Sequence, residues 1–299
     1  MRMMTLVSHI NHPASPDKPS EDAIGFDISR NMAWAIDGAS DDYLDMLRHK
    51  DTHERLDAFW AANTLTALFQ HHAQTATDNP RQYFRDILSR FTALFENASG
   101  QKMDDIPKEK HPIAAFAWMY YDRDNNTLIT AGLCDCMVFA KLDNGEIITN
   151  TPTADSAAEA ERDRVWARET GTNRLNRSSG LVHDKLIAAR RAKNDFTNGV
   201  DAVLGPVPEA AEHIRIEEFD LGAAQIENVM VTTDGLMRLT DTFQIYPSDN
   251  VLLNAVLDND LHYITNILRE REHQNALNAT IPIIKPHDDV GAAVFRFEN

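Results

Sequence analysis

The sequence predicts an α+β fold in which two antiparallel sheets pack face to face with helices outside them. Apolar runs of period two, the mark of strands, recur near the start, through the middle and at the end of the chain. Apolar residues at spacings of three and four, the mark of helices, gather in stretches between those runs. The 299 residues include 43% hydrophobic and 25% charged side chains, the balance of a globular protein with a substantial core. Helices interposed between groups of strands call for layers, with the sheets inside.

The first strands are Ile24, Phe26, Ile28 and Met32, Trp34, Ile36, each alternating with smaller or polar partners. A turn at Ser29, Arg30 and Asn31 would pair Ile24 with Ile36, Phe26 with Trp34 and Ile28 with Met32. In that register Asp22 faces Gly38 and stands beside Asp37. Leu56, Phe59, Trp60, Asn63, Leu65 and Leu68 then fit one helical stripe. Phe84, Ile87, Leu88, Phe91, Leu94 and Phe95 fit a second, started by Asn79-Pro80. Surface or capping roles are the expectation for His49, His53, His71, His72 and His111.

From Ile113 the period returns to two in IAAFAWMYY, TLITAGL, MVFAKL and EIITN, with turns at 122–126 and 143–145, so an antiparallel meander is expected. Residues 151–199 are polar and lack a strand pattern, which reads as a helical or mobile excursion at the sheet edge. Strands resume at HIRIEEFDL and NVMVTT, one or two helices follow over 249–277, and VGAAVFRF closes the chain as a last strand. No repeat or low-complexity linker divides residues 1–299, so one domain is expected.

The net charge of −17 opposes a nucleic-acid partner, and no run approaches the roughly 20 apolar residues of a membrane span. The N-terminal MRMMTLVSHINHP has no long apolar core or cleavage site, so a cytoplasmic location is expected. Cys134 and Cys136 are the only cysteines and are expected reduced and half-buried, since no spaced His or Cys motif offers the remaining ligands of a zinc site.

Acids stand at strand ends. Asp37 in WAIDGAS and Asp234 in VMVTTDGL follow their runs, whereas Asp22 in PSEDAIGF and Asp288 in HDDVGAAVF precede theirs. In an antiparallel arrangement those four ends share one edge. Two carboxylates about 5 Å apart at an effective dielectric near 20 repel by roughly 3 kcal/mol. Either some stay protonated or cations sit among them, and oxygen-only ligands favour Mg²⁺ or Mn²⁺. Gly38 and Gly235, directly after two of the acids, leave room for a close approach.

The order Glu21-Asp22, Asp37-Gly38, Cys134-Asp135-Cys136, Thr233-Asp234-Gly235, Asp288-Asp289 resembles the PPM (type 2C) metal-dependent Ser/Thr protein phosphatases, particularly compact bacterial members. The resemblance implies a four-layer αββα sandwich with two Mg²⁺ or Mn²⁺ ions at one edge of the sheets. It makes Asp37 the bridging carboxylate, Gly38 the donor of a carbonyl, Asp234 and Asp288 the remainder of one metal's shell, and Glu21 and Asp22 outer or water-mediated ligands. Asp135 matches the acid of a weaker third metal, but cysteines flank it where the family usually has Gly and Ser, so the third ion is in doubt. Catalysis would rest on Asp37, Asp22, Asp234 and Asp288.

The implied reaction is dephosphorylation of phosphoserine or phosphothreonine in a phosphoprotein, opposed by a cognate Ser/Thr kinase, with attack by metal-activated water. Ala39 and Ser40 stand where a His proposed as general acid in some relatives would be. No Arg occupies the usual phosphate-binding place, for which Lys18 is a weak substitute. Residues 151–199 fall at the family's variable flap, where Arg162, Arg164, Arg168, Arg174 and Arg177 could set substrate choice. Two alternatives remain open: a catalytically weak regulatory or binding module, and a hydrolase of small phosphate esters.

Overall fold

The structure, a computed structural model, describes residues 3–39, 57–73, 79–150, 152, 156–195 and 202–298. Leu56, Ser40, His49 and His53, singled out above, lie outside them, as do parts of the 151–199 excursion. Strands β1 (Met3–His12), β2 (Asp22–Asp27) and β3 (Met32–Ala39) precede helices α1 (Asp57–His72) and α2 (Pro80–Ser99). Next come β4 (Ile113–Asp122), β5 (Thr127–Leu133), β6 (Met137–Leu142) and β7 (Ile147–Thr149), then α3 (Ser156–Thr170) and α4 (Gly180–Asp195). The chain ends with β8 (Arg215–Asp220), β9 (Ile226–Thr232), α5 (Asp234–Met237), α6 (Asp249–Asp258), α7 (Leu261–Asn278) and β10 (Val290–Glu298).

Two five-stranded antiparallel sheets result, ordered β2-β3-β4-β5-β8 and β1-β10-β9-β6-β7. Their inner faces meet through Ala33, Ala35, Ala117, Val138, Val231 and Phe295, while α1 and α2 cover one outer face and α5 to α7 the other. This is the predicted layered α+β sandwich. Asn79 caps α2 by accepting from the Gln82 amide, with Pro80 in the first turn, as its sequence foretold.

The β2–β3 hairpin differs from the predicted register by one residue. Asp22 pairs with Asp37, Ala23 with Ile36, Ile24 with Ala35, Gly25 with Trp34 and Phe26 with Ala33. Each large residue faces a small one, and the pairs alternate between two buried faces. Phe26 points between the sheets, its ring 5.4 Å from Phe295, whereas Trp34 points outward, 5.9 Å from Phe69 of α1. A side chain at Gly25 would overlap the Trp34 indole. The prediction assumed one apolar face per strand, yet both faces are covered, so matching large with large placed them together wrongly.

The meander is likewise interrupted. β4 and β5 belong to the first sheet, β6 and β7 to the second, and the chain crosses at Cys134-Asp135-Cys136. Cys134 takes a left-handed conformation there (φ 68°), and both thiols are fully buried rather than half-buried. β1 escaped the sequence reading because it is an outer strand that buries little besides Met4 and Ile10. On α1 the buried face is Ala58, Ala61, Ala62, Leu65 and Phe69, with Asn63 exposed, because alanines allow close packing on the sheet. Leu94 of α2 is exposed as well. His111 is buried, its Nε2 3.1 Å from the Ile106 carbonyl oxygen, instead of at the surface. The excursion forms the two helices α3 and α4 with a non-helical turn between them over 171–179, packed together through Trp166, Ala167, Leu175 and Val182.

Candidate metal centre

Register builds this site. Asp37 continues the row of Ala33 and Ala35, and Asp22 that of Phe26 and Ile24, so both carboxylates lie on the face turned toward the second sheet. A shift of one residue would have sent them to opposite faces. Asp234 opens α5 directly after β9, Asp288 precedes β10, and Asp135 sits on the crossing between β5 and β6. The acids therefore converge from the ends of both sheets, not from one sheet.

Among the described residues, Asp37, Asp135 and Asp234 offer carboxylate oxygens that all lie within 4.8 Å of one another. Asp22 and Asp288 are engaged separately. Asp22 is buried and accepts from the Thr233 hydroxyl at 2.7 Å, which ties the first sheet to the second. Thr233 in turn accepts from the Gly291 amide at 3.0 Å. Asp288 pairs with Lys285, Nζ to Oδ1 at 2.9 Å. Asp289 accepts from the Glu21 amide at 2.8 Å and from that of Ala14, fixing the loop that carries Glu21. The Gly38 amide donates to the Glu21 carbonyl at 3.0 Å. At Gly235 a methyl would overlap the Asp289 carbonyl oxygen, so glycine is required for the two loops to approach.

The electrostatics are lopsided. Burial first, then Asp234 and Asp22, push the Asp37 carboxyl well above the usual range. Burial, then Asp135 and Asp288, do the same to Asp234. Asp135 is raised by burial and by Glu159. Asp22 is pushed up to about 8, mainly by burial, against the pull of its Thr233 hydrogen bond. Asp288 goes the other way: burial would raise it, but Lys285 and Arg238 outweigh that and hold it low. Three compact oxygen donors that resist ionising together suit a hard divalent cation, which would let them ionise.

Asp37, Asp135, Asp234 and Asp288 line a cavity of about 260 Å³ that α3 and α4 border with Arg162, Arg190 and Lys193. Apolar residues such as Val203, Leu186 and Ile284 form part of its wall. Of the five arginines singled out, Arg162 and Arg177 line this cavity, whereas Arg164, Arg168 and Arg174 border a separate, open depression. Lys18 is exposed and is not among the lining residues. Sequence reasoning passed over Lys285, Lys193 and Thr233 as site residues. Lys285 had a local signal, since it stands three residues before Asp288; Lys193 had none, because it arrives from α4.

Behind the centre, Glu272 of α7 is wholly buried and holds Arg238, Arg269 at 2.6 Å and His287 at 3.2 Å. Its Oε1 also accepts from the Asp288 amide at 3.3 Å, and Arg238 donates to the Lys285 carbonyl at 3.1 Å. This network fixes the segment 285–288 against α5.

The backbone matches solved bacterial phosphatases over its whole length. The serine/threonine phosphatase PstP/Ppp of Mycobacterium tuberculosis matches with a TM-score of 0.54 at 12% identity, covering 99% of this chain and 100% of that one. Stp1 of Staphylococcus aureus, a serine/threonine phosphatase, gives 0.54 at 12% identity, covering 100% and 96%. The catalytic domain of PstP in complex with two manganese ions gives 0.51 at 12% identity, with both chains covered fully. No protein-family model and no curated protein matches the sequence.

Proposed function

We propose that this chain, which has the fold of the bacterial PPM-type Ser/Thr phosphatases, is a metal-dependent phosphomonoester hydrolase acting on phosphoserine or phosphothreonine in proteins. The observation that carries the reading is the compact triad Asp37, Asp135 and Asp234 on the floor of a cavity that also presents basic side chains. Relatives of this fold carry manganese, and the triad's donor set suits Mg²⁺ or Mn²⁺.

When bound, the cation lowers the pKa of a coordinated water and offsets charge on the phosphoryl group. The chain's own residues do the rest. Asp37, Asp135 and Asp234 would hold the ion, and the Gly38 carbonyl, Glu21 and Asp22 would be the further oxygen donors available to it. Thr233 keeps Asp22 in place, and Asp289 keeps Glu21 there. Arg162, Arg177 and Lys193 line the cavity where phosphoryl oxygens would enter and supply the positive charge for them. In this reading Lys193, rather than the exposed Lys18, serves as the phosphate-binding cation.

The test is turnover of p-nitrophenyl phosphate and of phosphoserine and phosphothreonine peptides with Mn²⁺. Activity should require the metal and fall by at least about a thousandfold, roughly 4 kcal/mol, in Asp37→Ala. No turnover of any substrate, or turnover indifferent to Asp37→Ala, would sink the reading. The partly apolar wall of the cavity also favours a second substrate class, small phosphate esters; higher kcat/KM for these than for the peptides would shift the assignment to them.

A further inference from the structure

We propose that Lys285 is a tethered cation of the acidic centre, which neutralises its Asp288 side so that the site binds one divalent ion, at Asp37, Asp135 and Asp234, instead of two. This rests on the metal-dependent reading above and concerns how many ions that site takes. The resemblance in sequence implied a pair of ions with Asp288 completing one shell; the geometry gives Asp288 another partner.

The Lys285 ammonium lies 2.9 Å from Asp288 Oδ1 and lines the same cavity as the triad. Asp288 is not part of the compact group of three carboxylates. Lysine and aspartate are both held from behind. Arg238 donates to the Lys285 carbonyl at 3.1 Å, and the Asp288 amide donates to Glu272, whose buried carboxylate is itself gripped by Arg238 and Arg269. Pro286 follows Lys285 and further restricts the tether.

The ammonium also feels the rest of the centre. Asp288 first, then Asp37, Glu21 and Asp234, favour its charged form, so it faces acids from β3, from the loop before β2 and from α5 as well as its own segment. A fixed charge of +1 at the Asp288 side repels a second divalent ion and occupies one carboxylate that such an ion would use.

Calorimetric titration of the metal-free protein with Mn²⁺, checked by metal analysis after gel filtration, tests this. The wild type should bind one ion per chain. Lys285→Met, which keeps the length of the side chain and removes its charge, should bind two, or bind a second at least about tenfold more tightly, and its melting temperature in EDTA should fall and recover with Mn²⁺. Asp288→Asn should leave the affinity of the first ion within about threefold.

Two ions of similar affinity in the wild type would overturn the assignment without any variant, even should Lys285→Met fail to fold. So would unchanged stoichiometry in a folded Lys285→Met, or a phosphate-binding defect as its only change, which would make Lys285 a substrate contact. One-ion binding that Asp37→Ala abolishes supports the metal reading independently of Lys285. Failure of wild type and Lys285→Met alike to bind Mn²⁺ would remove both.

Discussion

Two buried acidic sites lie back to back in this protein and are built on opposite principles. Glu272 is one carboxylate among Arg238, Arg269 and His287, closed off by α7. The strand-end centre gathers Asp37, Asp135 and Asp234 within 4.8 Å, with Asp22 and Asp288 beside them and Lys285 as the cation paired at its edge. The first is electrostatically complete from the protein's own side chains. The second holds more negative charge than its fold neutralises, and it opens to a cavity. A buried group that lowers the energy of the fold reads as architecture, whereas one that raises it is kept for a ligand.

The same chemical change should therefore act in opposite senses at the two sites. Asp37→Asn should abolish Mn²⁺-dependent turnover, a loss of at least about 4 kcal/mol in the barrier, yet leave the metal-free protein as stable as the wild type or more so near neutral pH. Amide for carboxylate there removes repulsion. Glu272→Gln should destabilise, and Glu272→Ala should cost about 3 kcal/mol in denaturant unfolding. That is the low end for a broken buried pair, because Arg269 and His287 keep partial access to water. A stabilising Glu272→Gln, or a metal-free Asp37→Asn that melts well below wild type, would dissolve the contrast.

A pH series sharpens it further. Asp22, Asp37, Asp135 and Asp234 have folded pKa values raised above their unfolded ones, so in EDTA the folded state binds more protons than the unfolded state once the pH exceeds the ordinary carboxylate range. Stability from these groups is fully present below about pH 4 and is lost as pH rises, through about 8 for Asp22. The melting temperature of the metal-free protein should thus fall between about pH 5 and 8, and the rise produced by Mn²⁺ should grow over that interval. Thr233→Val is the mildest probe. Removing the hydroxyl that joins Asp22 to the second sheet should cost about 1 to 2 kcal/mol in denaturant midpoint at fixed m-value, with a cooperative fold retained.

Much of the centre was legible because its parts are local. An acid next to an apolar run is visible in WAIDGAS or VMVTTDGL without any tertiary information, and the same holds for the Asn79-Pro80 start of α2. Asp135 was harder to place, since the crossing between sheets that carries it resembles a hairpin turn in sequence. Lys193 and Glu272 were out of reach, for they meet the site from helices separated from it along the chain. Thr233 and Asp22 are 211 residues apart and share one hydrogen bond.

By itself the sequence determined most of the elements, though not the outer strand β1, together with the layered α+β class and the presence of acids at strand ends, because alternation, helical spacing and capping are properties of neighbouring residues. Tertiary structure alone decided which face each acid takes. With both sides of the first sheet buried, no polar face marks the register, and it is the fit of Trp34 over Gly25 and of Phe26 beside Ala33 that sets it. That one-residue choice turns Asp22 and Asp37 together toward the second sheet, where Asp135 and Asp234 meet them.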